Sequence, residues 1–117
     1  MYNDLVKDHF ARPRNVGELE HPDASAVSKN EADGDTVQIQ LRIENGVIAD
    51  AKMKVSGCVA AIASASLLTE TIRGRSVSDA LAISKEELAG MLGGLPEHKI
   101  RCSLTCVDAL RKALNPK

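Results

Sequence analysis

Two of the chain's three cysteines fall in the stretch RCSLTC, residues 101–106, and the third, Cys58, directly follows Gly57. If a helix begins near Cys102, then Cys102 and Cys106 lie at i and i+4 with their Cβ atoms roughly 6 Å apart on one face, so two thiolates can converge on one metal centre. Cys58 stands where a strand pattern gives way to a helix pattern, and first-turn amides with the helix dipole favour a thiolate there. The plain alternative is three small buried hydrophobes. The stretch EADGD, residues 31–35, is the second candidate. Gly34 permits a tight turn that presents Asp33 and Asp35 in one direction, although an ordinary acidic loop feeding a strand has the same composition. His98, four residues before Cys102, reads as a loop histidine, and His9 and His21 read as structural.

The elements that must position these groups are legible in outline. Leu5, Val6 and Phe10 recur at helical spacing before Pro13 and Gly17, which predicts a short helix ending near Ala11. Residues 18–33 show no sustained periodicity and read as loop with one strand near Ala26. Val37, Ile39, Leu41 and Ile43 alternate with polar residues, Asn45-Gly46 is a hairpin turn, and Val47 to Val55 forms the second strand of the hairpin. CVAAIASASLLTETIRG then predicts a tightly packed helix from about Val59 to Arg73, stopped by Gly74. Ser76 and Ser84 open two short capped helices, the latter with Glu87 in a capping box. The last helix begins near Cys102 and carries Leu104, Val107, Leu110, Ala113 and Leu114 on a helical repeat. Strands first and helices afterwards predict an α+β fold: a small three-stranded antiparallel sheet with helices on one face, in a single domain over residues 1–117.

Composition narrows the function classes. Hydrophobic residues make up 44% of the 117, but aromatics only 2%, so Ala, Val, Ile and Leu must build the core. A formal net charge of −1 gives no field to attract nucleic acid or an acidic membrane, and Tyr2 and Phe10 are too few rings for base stacking. The charged N-terminus and the lack of a long apolar run predict a cytoplasmic protein without a membrane span. In that reducing compartment metal binding or thiol chemistry is the better functional use of an odd number of cysteines.

In order, PRNVG, a Gly-Asp at the start of a hairpin, SGCVAAIASASLLTE and RCSL resemble the iron-sulfur cluster assembly scaffolds of the IscU/NifU N-terminal type, from about Tyr2 to Leu114. The resemblance implies a SufE/NifU-like fold and a site of three cysteines and one histidine. Cys58 and Cys102 match the second and third family cysteines. Asp33 stands at the position of the first, and Arg101 at that of the histidine, where a permanently protonated guanidinium cannot ligate a metal. Cys106, one turn beyond Cys102, supplies a replacement thiol. The expected ligand set is therefore Asp33, Cys58, Cys102 and Cys106, enough for a 2Fe-2S cluster with one exchangeable carboxylate corner. Arg101 would offset the excess negative charge. Asp35 matches the family aspartate beside the cluster, with an implied role in lability rather than ligation, and Cys102 the position that accepts sulfur.

The resemblance further implies a cysteine desulfurase as sulfur donor, apo iron-sulfur proteins as recipients, and a homo-dimer or trimer when loaded. LPEHK, residues 95–99, aligns with the family's Leu-Pro-Pro-Val-Lys chaperone-docking segment but changes its centre to Glu97 and His98, which leaves a plain interhelix loop as the simpler reading. The leading class is thus an assembly scaffold and carrier, not an enzyme. A zinc-dependent sulfur-transfer protein of the SufU type is the alternative, against which stands the lack of a sizeable insertion between Cys58 and Cys102; zinc can occupy the same donors in purified protein. A degenerate scaffold, with Cys106 merely packing in the core, and a metal-free interaction module complete the choices.

Overall fold

The computed structural model describes residues 2–114, apart from the side chain of His98. The elements run α1 (Asp4–Ala11), β1 (Ala24–Asn30), β2 (Asp35–Glu44), β3 (Val47–Ser56), α2 (Val59–Ile72), α3 (Val77–Leu81), α4 (Lys85–Met91) and α5 (Ile100–Leu114), the last preceded by a 3-10 turn at Glu97–Lys99. Three of the helix starts carry a side-chain cap. Asn3, Ser76 and Ser84 accept from the amides of Val6, Asp79 and Glu87 at 2.9, 3.1 and 3.1 Å, capping α1, α3 and α4.

The sheet is antiparallel in the order β1-β2-β3, and the expected strand near Ala26 is a full edge strand. Asn45 and Gly46 turn the central hairpin with φ of 52° and 76°, the left-handed pair that a two-residue hairpin loop requires. Between Arg42 and Ile43 the pairing shifts register: Ile43 faces Ile48, but Arg42 faces Asp50 and Thr36 faces Ser56. That irregularity sets which residues meet at the far end of the hairpin, where the candidate site lies.

Along β2, Val37, Ile39 and Leu41 are fully buried while Thr36, Gln38 and Gln40 are only half-buried, so one face of the sheet is core. Helices α2 and α5 lie on that face, and burying each large aliphatic side chain there contributes about 1.5–3 kcal/mol. α2 is lined with small buried residues, Ala60, Ala61, Ala63, Ser64, Ala65 and Ser66, which let it sit close to α1, α5 and the sheet together. Two of its hydroxyls are paired in the interior, Ser64 with Ser103 at 3.0 Å and Ser66 with His9 Nδ1 at 2.8 Å. Among the described residues no helix is long and apolar enough to cross a membrane.

Candidate metal centre

Three chain segments meet at the open end of the hairpin. The turn between β1 and β2 contains Asp33 and Gly34, whose φ of 72° lets the chain reverse so that Asp33 and Asp35 both face Cys102. Gly57 and Cys58 link β3 to α2, with Cys58 at the N-cap. Cys102 lies in the first turn of α5, which begins two residues earlier than the sequence pattern suggests because the 3-10 turn at Glu97–Lys99 leads directly into it.

Asp35 is the organiser. It is 1% exposed at the first position of β2, and its Oδ1 accepts the Cys58 amide at 2.9 Å. Residue 57 has to be glycine for this: a Cβ there would overlap Oδ1 and lie 2.9 Å from Asp35 Cγ. Oδ2 of the same carboxylate is 3.2 Å from Cys102 Sγ and 3.7 Å from Cys58 Sγ, and the two sulfurs are 3.5 Å apart. A tetrahedral ion bound at ordinary zinc distances has S···S edges of about 3.8 Å and S···O edges of about 3.6 Å, so the three atoms already outline one face of such a site. The chemistry suits a thiophilic metal. Burial, reinforced by the hydrogen bonds to Asp35 and Cys58, holds the Cys102 thiol well above its ordinary pKa, and a metal must displace that proton on binding.

Asp33 lies beside this face. Its Oδ2 is 3.8 Å from Cys102 Sγ, but the described donor atoms that fall mutually within 4.8 Å belong to Asp35, Cys58 and Cys102. Arg101 grips Asp33 with two nitrogens, Nε on Oδ2 and Nη2 on Oδ1, the latter at 3.0 Å, and Lys99 Nζ and Asn30 Nδ2 add contacts at 3.4 and 2.8 Å. The Arg101 hydrogen bond holds the Asp33 carboxyl well below the usual carboxylate range.

The placement differs from the expected ligand set at three residues: Asp33, expected as a ligand, is taken up by Arg101, Lys99 and Asn30 outside the triad, Cys106 is outside it, and Asp35 is inside. Cys106, expected as the fourth ligand, points into the main core, fully buried, with its Sγ 3.6 Å from the carbonyl oxygen of Ala61. A separation of four residues puts two side chains on one helix face but one turn apart, and here the second turn is covered by α2. Burial pushes its thiol pKa up. Asp35, expected as a neighbour, stands inside the triad. Cys102, expected to accept sulfur, is fully buried, whereas Cys58 is half-buried. His98's side chain lies outside the described residues. Sequence reasoning singles out neither Asn30 nor, apart from the 95–99 segment, Lys99; Lys99 directly precedes α5, and nothing in its spacing marks it as a partner of Asp33.

Residues 1–116 match the NifU-like N terminal domain. The chain belongs to that family. Among curated relatives, the iron-sulfur cluster assembly scaffold protein IscU 1 of Archaeoglobus fulgidus is 42% identical over 114 residues, covering 97% of this chain and 74% of that protein. IscU of Haemophilus influenzae and IscU of Escherichia coli are 41% and 39% identical over 117 residues, covering 92% and 91% of those proteins. Among solved structures, the putative SUF-system scaffold from Fervidobacterium islandicum superposes with a TM-score of 0.80 at 22% identity over 97% of this chain and 96% of that one, and a NifU-like N-terminal protein of Brucella abortus with 0.77 at 22% over 96% and 90%. These two likenesses speak to fold, and the family's SufE/NifU-like α+β architecture is the one observed.

Proposed function

We propose that this chain is an iron-sulfur cluster assembly scaffold: it receives iron and desulfurase-derived sulfur, holds a 2Fe-2S cluster as cargo on Cys58, Cys102 and the Asp35 carboxylate, and passes it to apo-proteins. Relatives 39% to 42% identical along nearly the whole chain are named as such scaffolds. The observation that carries the reading is the triad itself, two thiols and a carboxylate drawn from three separate elements, with edges of 3.2 to 3.7 Å, at the end of the hairpin. A cysteine desulfurase and apo iron-sulfur proteins follow as partner classes. The chain acts as an assembly and carrier protein rather than a catalyst of turnover.

The donor set supports delivery as well as capture. A carboxylate oxygen is a harder and more exchangeable donor to iron than a thiolate, so the Asp35 corner opens first. Two thiolates and one carboxylate would bring about three negative charges to a diiron core with two bridging sulfides, of about two positive, and Arg101 and Lys99 beside Asp33 offset the surplus. The buried Cys102 thiol requires the site to open before it can accept sulfur, and Cys58 is the more accessible entry point. The same donors take a zinc ion, so zinc is expected in purified material where iron is withheld.

Anaerobic reconstitution with iron and sulfide tests the proposal. Wild-type protein is expected to acquire iron and sulfide in near-equal amounts with sulfur-to-iron charge-transfer bands, and Cys58→Ala and Cys102→Ala to lose both. A colourless wild type, or colour that survives removal of either cysteine, would overturn it.

A further inference from the structure

We infer that Arg101 and Lys99 form an anion-receiving rim beside the metal triad, filled in the resting protein by the chain's own Asp33, and that the anion which replaces Asp33 there is a sulfur anion, hydrosulfide or the terminal sulfur of a persulfide. The inference rests on the scaffold reading. It starts from the saturation of Asp33: Oδ1 takes Arg101 Nη2 and Lys99 Nζ, and Oδ2 takes Arg101 Nε and Asn30 Nδ2. A carboxylate so engaged is a counter-charge, and its two cationic partners exceed it by one charge.

The rim's position assigns its use. Asp33 Oδ2 is 3.8 Å from Cys102 Sγ, so an anion lodged between Arg101 and Lys99 stands within reach of a metal held by the triad. Three protein donors leave a tetrahedral metal one position to fill. Exposure gives the route: the Arg101 side chain is 49% exposed and the Asp33 side chain 8%, so an anion arriving from solvent meets the guanidinium first and the internal carboxylate last. Softness gives the class. A sulfur anion pairs with the cations and matches the thiophilic character that Cys58 and Cys102 give the metal, whereas a carboxylate or phosphate offers a harder, more readily exchanged donor of the kind Asp35 already supplies. The exchange changes no oxidation state: the Asp33 ion pairs open, the sulfur anion pairs with the cations and donates a lone pair to the vacant coordination position, so one metal–sulfur bond would form, and no bond within the anion or the chain breaks.

The test uses the full chain loaded with cobalt(II), whose d–d and sulfur-to-cobalt bands report the ligands directly. Titrations with sodium hydrosulfide and with glutathione persulfide separate the two sources, and a response to either supports the proposal. On saturation the charge-transfer intensity is expected to rise about 1.5-fold, from two sulfur ligands to three. Asp33→Asn, which keeps the shape and the Asn30 side, is expected to leave the anion-free spectrum unchanged and lower the half-saturating concentration roughly tenfold, and Arg101→Gln to raise it roughly tenfold. Thermal unfolding verifies that each variant is folded. Bands that shift in Asp33→Asn before any anion is added would make Asp33 a ligand and overturn the inference. So would half-saturation indifferent to both substitutions. Cobalt that binds without thiolate charge transfer in the wild type overturns the scaffold site and this inference together.

Discussion

Gly57→Ala isolates the contact on which the triad depends. A methyl at residue 57 would lie 2.9 Å from Asp35 Cγ and 3.0 Å from Asp35 Cα, besides overlapping Oδ1. Because one of those atoms is backbone, a change of rotamer cannot relieve the overlap, and the start of β2 has to move by several tenths of an ångström. Overpacking of this kind costs about 1–3 kcal/mol. If the carboxylate also swings away, the Cys58 amide loses its charged acceptor, which adds about 1.5–3 kcal/mol. The expected loss is therefore about 2.5–6 kcal/mol, a large share of the roughly 5–15 kcal/mol of a typical domain. Metal affinity is expected to fall at least a hundredfold, more than loss of a supporting hydrogen bond alone, because a donor leaves the triad. Urea denaturation of the apo-protein and competition with a chromophoric zinc chelator measure the two effects. Gly90→Ala is the control: nothing lies within 4 Å of its added Cβ, α4 gains helix propensity of up to about 1 kcal/mol, and metal affinity stays as in wild type. A Gly57→Ala protein with wild-type stability and affinity would refute the assignment of Asp35 to the site.

Two further outcomes are expected. Cys106→Ala should lose about 1–2 kcal/mol of stability for a small cavity under α2 while retaining metal affinity, and cluster loss in that variant without unfolding would restore Cys106 as a ligand. His9, buried against Ser66 with Glu70, Asp8 and Arg14 around it, has its pKa lowered, first by burial and then by Arg14. A lowered folded pKa means the unfolded chain binds the proton more tightly, so stability is full above the unfolded value of about 6.5 and declines as pH falls below it toward the folded value. Urea midpoints across pH 5 to 8 should show that decline, and His9→Gln should flatten it; an unchanged slope in the variant would place the titrating group elsewhere.

The sequence alone determined the hairpin, the caps and the small-residue helix, since each follows from a local pattern: alternation in β2, left-handed residues at Asn45-Gly46, Ser84 with Glu87, and alanines and serines along α2. It also determined that Cys58 and Cys102 belong together, through motifs whose order along the chain is diagnostic of the family. It did not determine which carboxylate joins them. A plain two-residue hairpin that pairs Glu44 with Val47 carries Asp35 opposite Ser56 if the register is simply continued. The irregularity between Arg42 and Ile43 moves the pairing by one residue, Thr36 meets Ser56 instead, and the same count places Asp35 across from Gly57, where a missing side chain leaves room for the carboxylate to reach the Cys58 amide. A one-residue slip turns every later side chain to the other face, and its only trace in β3 is the change of phase from Ile48 to Ala51 and Met53, too short a signal to place the irregularity without the paired strand. The fate of Cys106 was equally out of reach. Helical spacing fixes the face on which a thiol lies, but whether that face meets a metal or a neighbouring helix is decided by where α2 crosses α5. The pairing of Asp33 with Arg101 joins residues 68 positions apart, and only the packed structure brings the turn of one hairpin to the first turn of the last helix.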